Sequence, residues 1–160
     1  MEISGRKIKK GNAFIIAEIS ANHCKDFNIV MNTIEAAVNA GADAIKLQTV
    51  DPEKITLNCD NKFFQVPSDT AWAGKTLYEL EVETFLPKEW HKPIFDKAKE
   101  LGIICFSSPF DLDAIDFLEG LNCPAYKIAS FEITDVALIR KAASTKKPII
   151  LSTGIATKDD

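Results

Sequence analysis

Five short apolar runs, each with its own partner stretch of helical spacing except the last, constrain this chain more than any other feature. "AFIIAEIS" (13–20), "ADAIKLQT" (42–49), "IICFSS" (103–108), "PAYKIAS" (124–130) and "KPIILSTG" (147–154) are near-continuous in apolar character rather than alternating. That is the mark of strands in a parallel sheet covered on both faces. Between them "FNIVMNTIEAAVNAG" (27–41), "PKEWHKPIFDKAKELG" (87–102), "DLDAIDFLEGL" (111–121) and "TDVALIRKAAST" (134–145) carry apolar residues at helical spacing. Gly41 and Gly102 end the first two of these helices, Pro87 opens the second, and Thr134 is the expected cap of the last. The alternation predicts an α/β fold. No GxGxxG or GxxxxGK run follows any of the strands, which argues against a nucleotide-binding doubly wound sheet and for a (β/α)8 barrel. A full TIM barrel takes about 250 residues, so this chain is expected to supply about the first five βα units.

The length of 160 residues suits one domain, and 46% hydrophobic with 26% charged residues is the balance of a globular protein. A net charge of −4 provides no basic field for nucleic acid or an anionic membrane surface, so any anion must be held locally. No run approaches the roughly 18 apolar residues of a membrane span, and "MEISGRKIKKGN" lacks the apolar core of a signal peptide. The expected location is the cytoplasm. Cys24, Cys59, Cys105 and Cys123 have no CxxC pairing or zinc spacing and read as reduced thiols, the last two in the core.

Polar groups gather where the strands end. Glu18 and Ser20 close the first run, Lys46, Gln48 and Thr49 the second, Ser107 and Ser108 the third, Lys127 and Ser130 the fourth, Ser152 and Thr153 the fifth. In a barrel all of these ends share one rim, the rim on which active sites are built. A single strand lysine is ordinarily one that snorkels to solvent, and a single Ser or Thr after a strand is ordinarily a helix cap. Five consecutive polar ends with two lysines point instead to a site. Two ammoniums and several hydroxyls make a cradle for a phosphate and a carboxylate, the two groups of phosphoenolpyruvate. Glu18 on the same rim is either a proton acceptor or the ion-pair partner of a lysine.

The stretches "IIAEISANH", "GADAIKLQT", "CFSSPFD", "YKIASFEITD" and "KPIILSTGIAT" resemble, in order and spacing, the N-terminal half of the sialic acid synthase family. Within it, "AWAGKTLYELEVETFLPKEWH", "SSPF" and "KIASFE" resemble the branch that makes pseudaminic acid more than those that make N-acetylneuraminate or legionaminate. The resemblance implies condensation of phosphoenolpyruvate with the open-chain aldehyde of an N-acetylated amino sugar, by a homodimer using a divalent metal, Mn or Mg. It implies catalytic roles for Glu18, Lys46 and Lys127, and substrate contacts for Asn22, His23, Gln48, Ser108, Ser130 and Ser152. It implies metal ligands outside residues 1–160, along with the rest of the barrel and an antifreeze-like C-terminal domain. Many relatives follow the "NH" pair with one residue and a glycine, whereas Cys24, Lys25 and Asp26 stand here. His91 is expected on a helix surface and is assigned no metal role.

Residues 51–86 form a connection long for a barrel unit, with Phe63, Phe64 and Trp72 among polar residues. Such a segment is expected to lie over the barrel mouth or at a subunit contact and to help select the sugar, or else to be a packed accessory hairpin. Two rivals to the synthase reading are a Schiff-base pyruvate aldolase, in which a strand lysine is the nucleophile, and a non-catalytic binding protein.

Overall fold

The structure is a computed structural model that describes residues 2–157. Its centre is a five-stranded parallel sheet of β3 (Ile16–Glu18), β4 (Ala44–Thr49), β5 (Ile104–Pro109), β6 (Tyr126–Ile128) and β7 (Ile149–Leu151), paired in chain order. Helices α1 (Phe27–Asn39), α4 (Lys88–Glu100), α5 (Leu112–Gly120) and α6 (Val136–Ser144) connect successive strands. Parallel strands in sequential order, joined one to the next by helices, are consecutive units of a (β/α)8 barrel, as the sequence pattern predicts.

Local chemistry sets the helix ends. The Asp26, Asp111 and Asp135 side chains accept the N–H groups of Asn28, Ala114 and Leu138, capping α1, α5 and α6. Thr134 is therefore not the cap of α6. It ends a 3-10 turn, Phe131–Thr134, that immediately precedes the helix, because a carboxylate one residue later makes the better cap. Gly41, at φ +82°, lets the chain leave α1 in the left-handed region that a side chain would resist.

Two apolar clusters hold the layers together. Ile45, Leu47 and Cys105 on one sheet face pack with Val30 and Ile34 of α1 and Ile94 and Ala98 of α4, all buried. A second cluster joins Phe106, Tyr126 and Ile128 to Ile115 and Leu118 of α5 and Leu138 of α6. Cys105 and Cys123 lie buried as free thiols, as expected.

The N-terminal residues form a hairpin that no periodicity announces: β1 (Glu2–Ile3) and β2 (Arg6–Lys7) are too short to show one. Ser4 and Gly5, at φ +48° and +80°, form the paired positive-φ turn that matches strand twist. Ile3 is fully buried in the cluster with Phe106 and Ala44, and Arg6 reaches Asp43 at 2.7 Å. Asp43 immediately precedes β4, so the hairpin docks at the end of the sheet opposite the polar rim.

Two expectations are corrected here. His91 is not a surface residue. It is fully buried, with Nδ1 3.1 Å from Pro87 O and Nε2 2.9 Å from Thr49 Oγ1. Thr49 Oγ1 also lies 2.7 Å from Ser107 Oγ. Thr49 and Ser107 thus face α4 rather than the rim, because successive strand residues point to opposite faces.

Residues 51–86 carry the short helix α2 (Pro52–Ile55) and α3 (Leu77–Thr84), which pack together. A single antiparallel bridge, Gln65–Thr76, closes the loop between them. Phe63 is 78% and Trp72 51% exposed, an apolar expense at the surface that fits a contact region better than a hairpin packed on itself.

Candidate functional site

Strand register brings the rim residues to one face. Glu18 is paired with Lys46, and Gln48 with Ser108. Ser107 pairs with Tyr126, which sets Ser108 level with Lys127. Lys127 pairs in turn with Ile150, two residues before Ser152. Ile45 and Leu47 are committed to the helices, so Lys46 and Gln48 alternate to the inner face. The side chains bear this out. Lys46 Nζ forms an ion pair with Glu18 and lies 3.4 Å from Ser108 Oγ, and Ser108 is almost completely buried.

The Lys127 side chain has no hydrogen-bond or ion-pair partner among the described residues. Partial burial lowers the pKa of its ammonium and the charge of Lys46 lowers it further, against the opposing pull of Glu18 and Glu132. Lys46 and Lys127 are thus brought within electrostatic reach of each other, with Glu18 paired to the first and Glu132 beside the second, in a protein of net negative charge. That is an anion site made by geometry rather than by composition.

Ser130 precedes the 3-10 turn after β6, and Ser152 donates its N–H to Ile128 O at 3.1 Å. Between them lies a close approach that explains a glycine. A Cβ on Gly154 would stand 2.9 Å from Ser130 Oγ, so the glycine of "STG" leaves room for the hydroxyl of "KIAS".

Glu132 was missed at the level of sequence. It lies two residues past the strand-end pattern, in the 3-10 turn, and its Oε2 is buried with no hydrogen-bond partner. Burial raises its pKa, and Lys127 opposes that rise. A carboxyl of this kind, beside a cation and short of partners, is poised to hold or pass a proton.

Asn22 and His23 are used differently. Asn22 donates its side-chain amide to Ile19 O at 3.1 Å and remains exposed. His23 is buried, its Nε2 3.1 Å from Thr84 O and its Nδ1 accepting the Lys25 N–H at 3.1 Å. Both ring nitrogens are engaged, and the ring stands edge-on to Trp90.

Lys25 completes a clamp. Its Nζ donates to Phe85 O at 2.7 Å and sits 3.3 Å from the centroid of the Phe85 ring. His23 and Lys25 together hold the two carbonyls at the C-terminus of α3, where the helix dipole favours a cation. The loop after β3 is thereby fixed to the segment 51–86. Cys24 and Lys25 are both at positive φ, +48° and +56°, so the lysine accepts a backbone cost that a glycine would avoid. Lys25→Met in the full-length protein is expected to cost on the order of 1 kcal/mol by losing the hydrogen bond and cation–π contact. Lys25→Gly should cost less, since relief of left-handed strain offsets about 1 kcal/mol. Urea denaturation of both variants checks the order, and equal losses would mean that the loop is not strained.

Residues 33–160 match the model of the NeuB family. The chain belongs to the NeuB family. NeuB-family relatives at the sequence level include the pseudaminic acid synthase of Helicobacter pylori, 50% identical over 143 residues that cover 89% of this chain and 42% of the relative. A pseudaminic acid synthase of Campylobacter jejuni is 48% identical over 147 residues, 92% of this chain and 43% of the relative. The chain thus spans about two fifths of the length of these curated relatives. In three dimensions it is similar to the N-acetylneuraminic acid synthetase of Leptospira borgpetersenii solved with citrate, with a TM-score of 0.75 at 26% identity, covering 95% of this chain and 51% of that one. The NeuB-family assignment agrees with the resemblance carried by the strand-end motifs.

Proposed function

We propose that the protein containing these residues is a nonulosonic acid synthase, with pseudaminic acid as its product. In this reading C3 of phosphoenolpyruvate attacks the aldehyde carbon of an open-chain N-acetylated amino sugar, water adds at C2, and the C2–O bond breaks to release phosphate. The observation that carries the reading is the pair of inward ammoniums, Lys46 and Lys127, flanking the buried hydroxyl of Ser108. Lys127 and Lys46 bind the phosphate and carboxylate, and Ser108, Ser130 and Ser152 donate hydroxyls to the same oxygens. Gln48 orients the sugar from the same face. Glu132 holds a proton near C2 and C3, while Glu18 sets the position of Lys46. Asn22 and His23 shape the adjoining loop, His23 from within it.

The proposal includes dependence on a divalent metal, Mn or Mg, with its ligands outside residues 1–160. Among the described residues no group of three or more His, Cys, Asp or Glu is placed to hold one. The proposal includes a cytoplasmic homodimer acting in carbohydrate biosynthesis. No helix among the described residues is long and apolar enough to cross a membrane, and the exposed Phe63 and Trp72 offer contact surface.

One observation favours a second reading. Burial and a neighbouring cation lower the Lys127 pKa, a property of Schiff-base lysines. The full-length protein separates the two. Incubated with phosphoenolpyruvate and N-acetylated amino sugars, it is expected to release phosphate and yield a nine-carbon acid, with no lysine adduct after borohydride treatment with pyruvate. A borohydride-trapped adduct at Lys127 without phosphate release would establish an aldolase instead.

A further inference from the structure

Helix α3 carries three acidic residues, and two of them have a visible structural use. Glu79 completes a capping box with Thr76. Glu83 pairs with Lys75. Glu81 differs from both: it is half-buried, and its side-chain carboxyl has no hydrogen-bond or ion-pair partner among the described residues, burial alone pushing its pKa up.

Glu81 lines a cleft of about 450 Å³ together with Gln48, Glu132, Leu77, Ile55 and Phe110. Gln48 shares the inner face of β4 with Lys46, and Glu132 interacts with the charge of Lys127. The cleft therefore adjoins the two ammoniums, and α3 supplies its far wall. That wall is held in place at both ends, by the Thr76 capping box and by the clamp of His23 and Lys25 on Thr84 and Phe85. A carboxylate accepts hydrogen bonds and cannot donate them, so this wall selects a donor. The apolar side chains of Ile55, Leu77 and Phe110 beside it suit a methyl group. An acetamido substituent presents both, an N–H for the acceptor and a methyl for the apolar wall.

We propose that Glu81 is a specificity-determining residue that accepts the N–H of an acetamido substituent on the acceptor sugar, with the acetyl methyl against Leu77 and Ile55. The inference rests on the nonulosonic acid synthase reading and assigns the long segment 51–86 its part in choosing the sugar.

The test uses Glu81→Ala and Glu81→Gln in the full-length protein, with phosphate release measured against a di-N-acetylated amino hexose and against phosphoenolpyruvate separately. Glu81→Ala is expected to raise KM for the sugar about tenfold while the KM for phosphoenolpyruvate stays within about twofold, since one charge-assisted hydrogen bond is lost. Glu81→Gln keeps an acceptor oxygen and should lose no more than about a third of that effect on a logarithmic scale. The wild-type sugar KM should also rise at acidic pH, as the carboxyl protonates, and the Gln variant should not follow it. An unchanged sugar KM in Glu81→Ala overturns the proposal, and so does an equal change in both KM values, which is what a merely structural residue would produce. Absence of phosphate release by the wild type with every acetamido sugar tried would overturn the synthase reading itself, and this inference with it.

Discussion

Lys127→Ala in the full-length protein is expected to raise the KM for phosphoenolpyruvate by about ten- to 150-fold. The estimate follows from a charge-assisted hydrogen bond being worth about 1.5–3 kcal/mol, at roughly 1.4 kcal/mol per factor of ten. Lys127 is the more decisive of the two lysines because its charge is uncommitted, whereas Lys46 already shares its charge with Glu18. The burial that lowers the Lys127 pKa also strengthens its attraction for an anion, since there is less water to screen it. Lys127→Arg should restore only part of the loss, because a planar guanidinium does not place its donors where a compact ammonium does. Steady-state phosphate release at varied phosphoenolpyruvate measures all three proteins. An unchanged dependence in Lys127→Ala would remove the residue from the site.

Acid is expected to destabilise the fold through His91. Its Nδ1–H donates to Pro87 O, so Nε2 is the acceptor for the Thr49 hydroxyl. Protonation would remove that acceptor and bury a charge against the edge of Phe117. Burial is the largest cause holding the His91 pKa down to about 4, with Lys88 adding to it and Glu89 and the Pro87 and Lys88 backbone opposing it. The native state thus binds fewer protons than the unfolded state between pH 6.5 and about 4. Stability is fully present above pH 6.5 and is lost as pH falls through that window, by on the order of 3 kcal/mol in all. His91→Gln keeps polar atoms in the same space but does not titrate. The stability advantage of wild type over this variant, from urea midpoints at pH 7.5 and 4, should shrink or reverse in acid. A constant difference would show that His91 titrates alike in both states.

Much of this was legible before any coordinates. The five strands and the intervening helices follow from continuous apolar runs, helical spacing, and the glycine and proline stops. Lys46 and Lys127 could be placed on one rim because parallel strands linked by helices all end at the same edge of the sheet. The hairpin of β1 and β2 was not legible, since two-residue strands carry no period and owe their existence to Ile3 finding the core. Thr134 lost its cap to Asp135 because capping is decided by which side chain reaches the free N–H groups.

Sequence by itself determined the class of fold, the order of the strands and the residue types delivered to the rim, because these depend on local periodicity and chain direction. Tertiary structure alone decided which way each side chain turns. Ser107 and Ser108 are neighbours with the same hydroxyl, yet one joins Thr49 and His91 beneath α4 and the other joins Lys46, because a step of one residue along a strand reverses the face. Glu132 and Glu81 acquired their places in the same way. Neither stands at a strand end, and each is set beside the cations or the cleft only when the 3-10 turn and α3 pack over the sheet. Burial then takes water from their carboxyls, and no pattern in the chain records a solvent that only the folded neighbours remove.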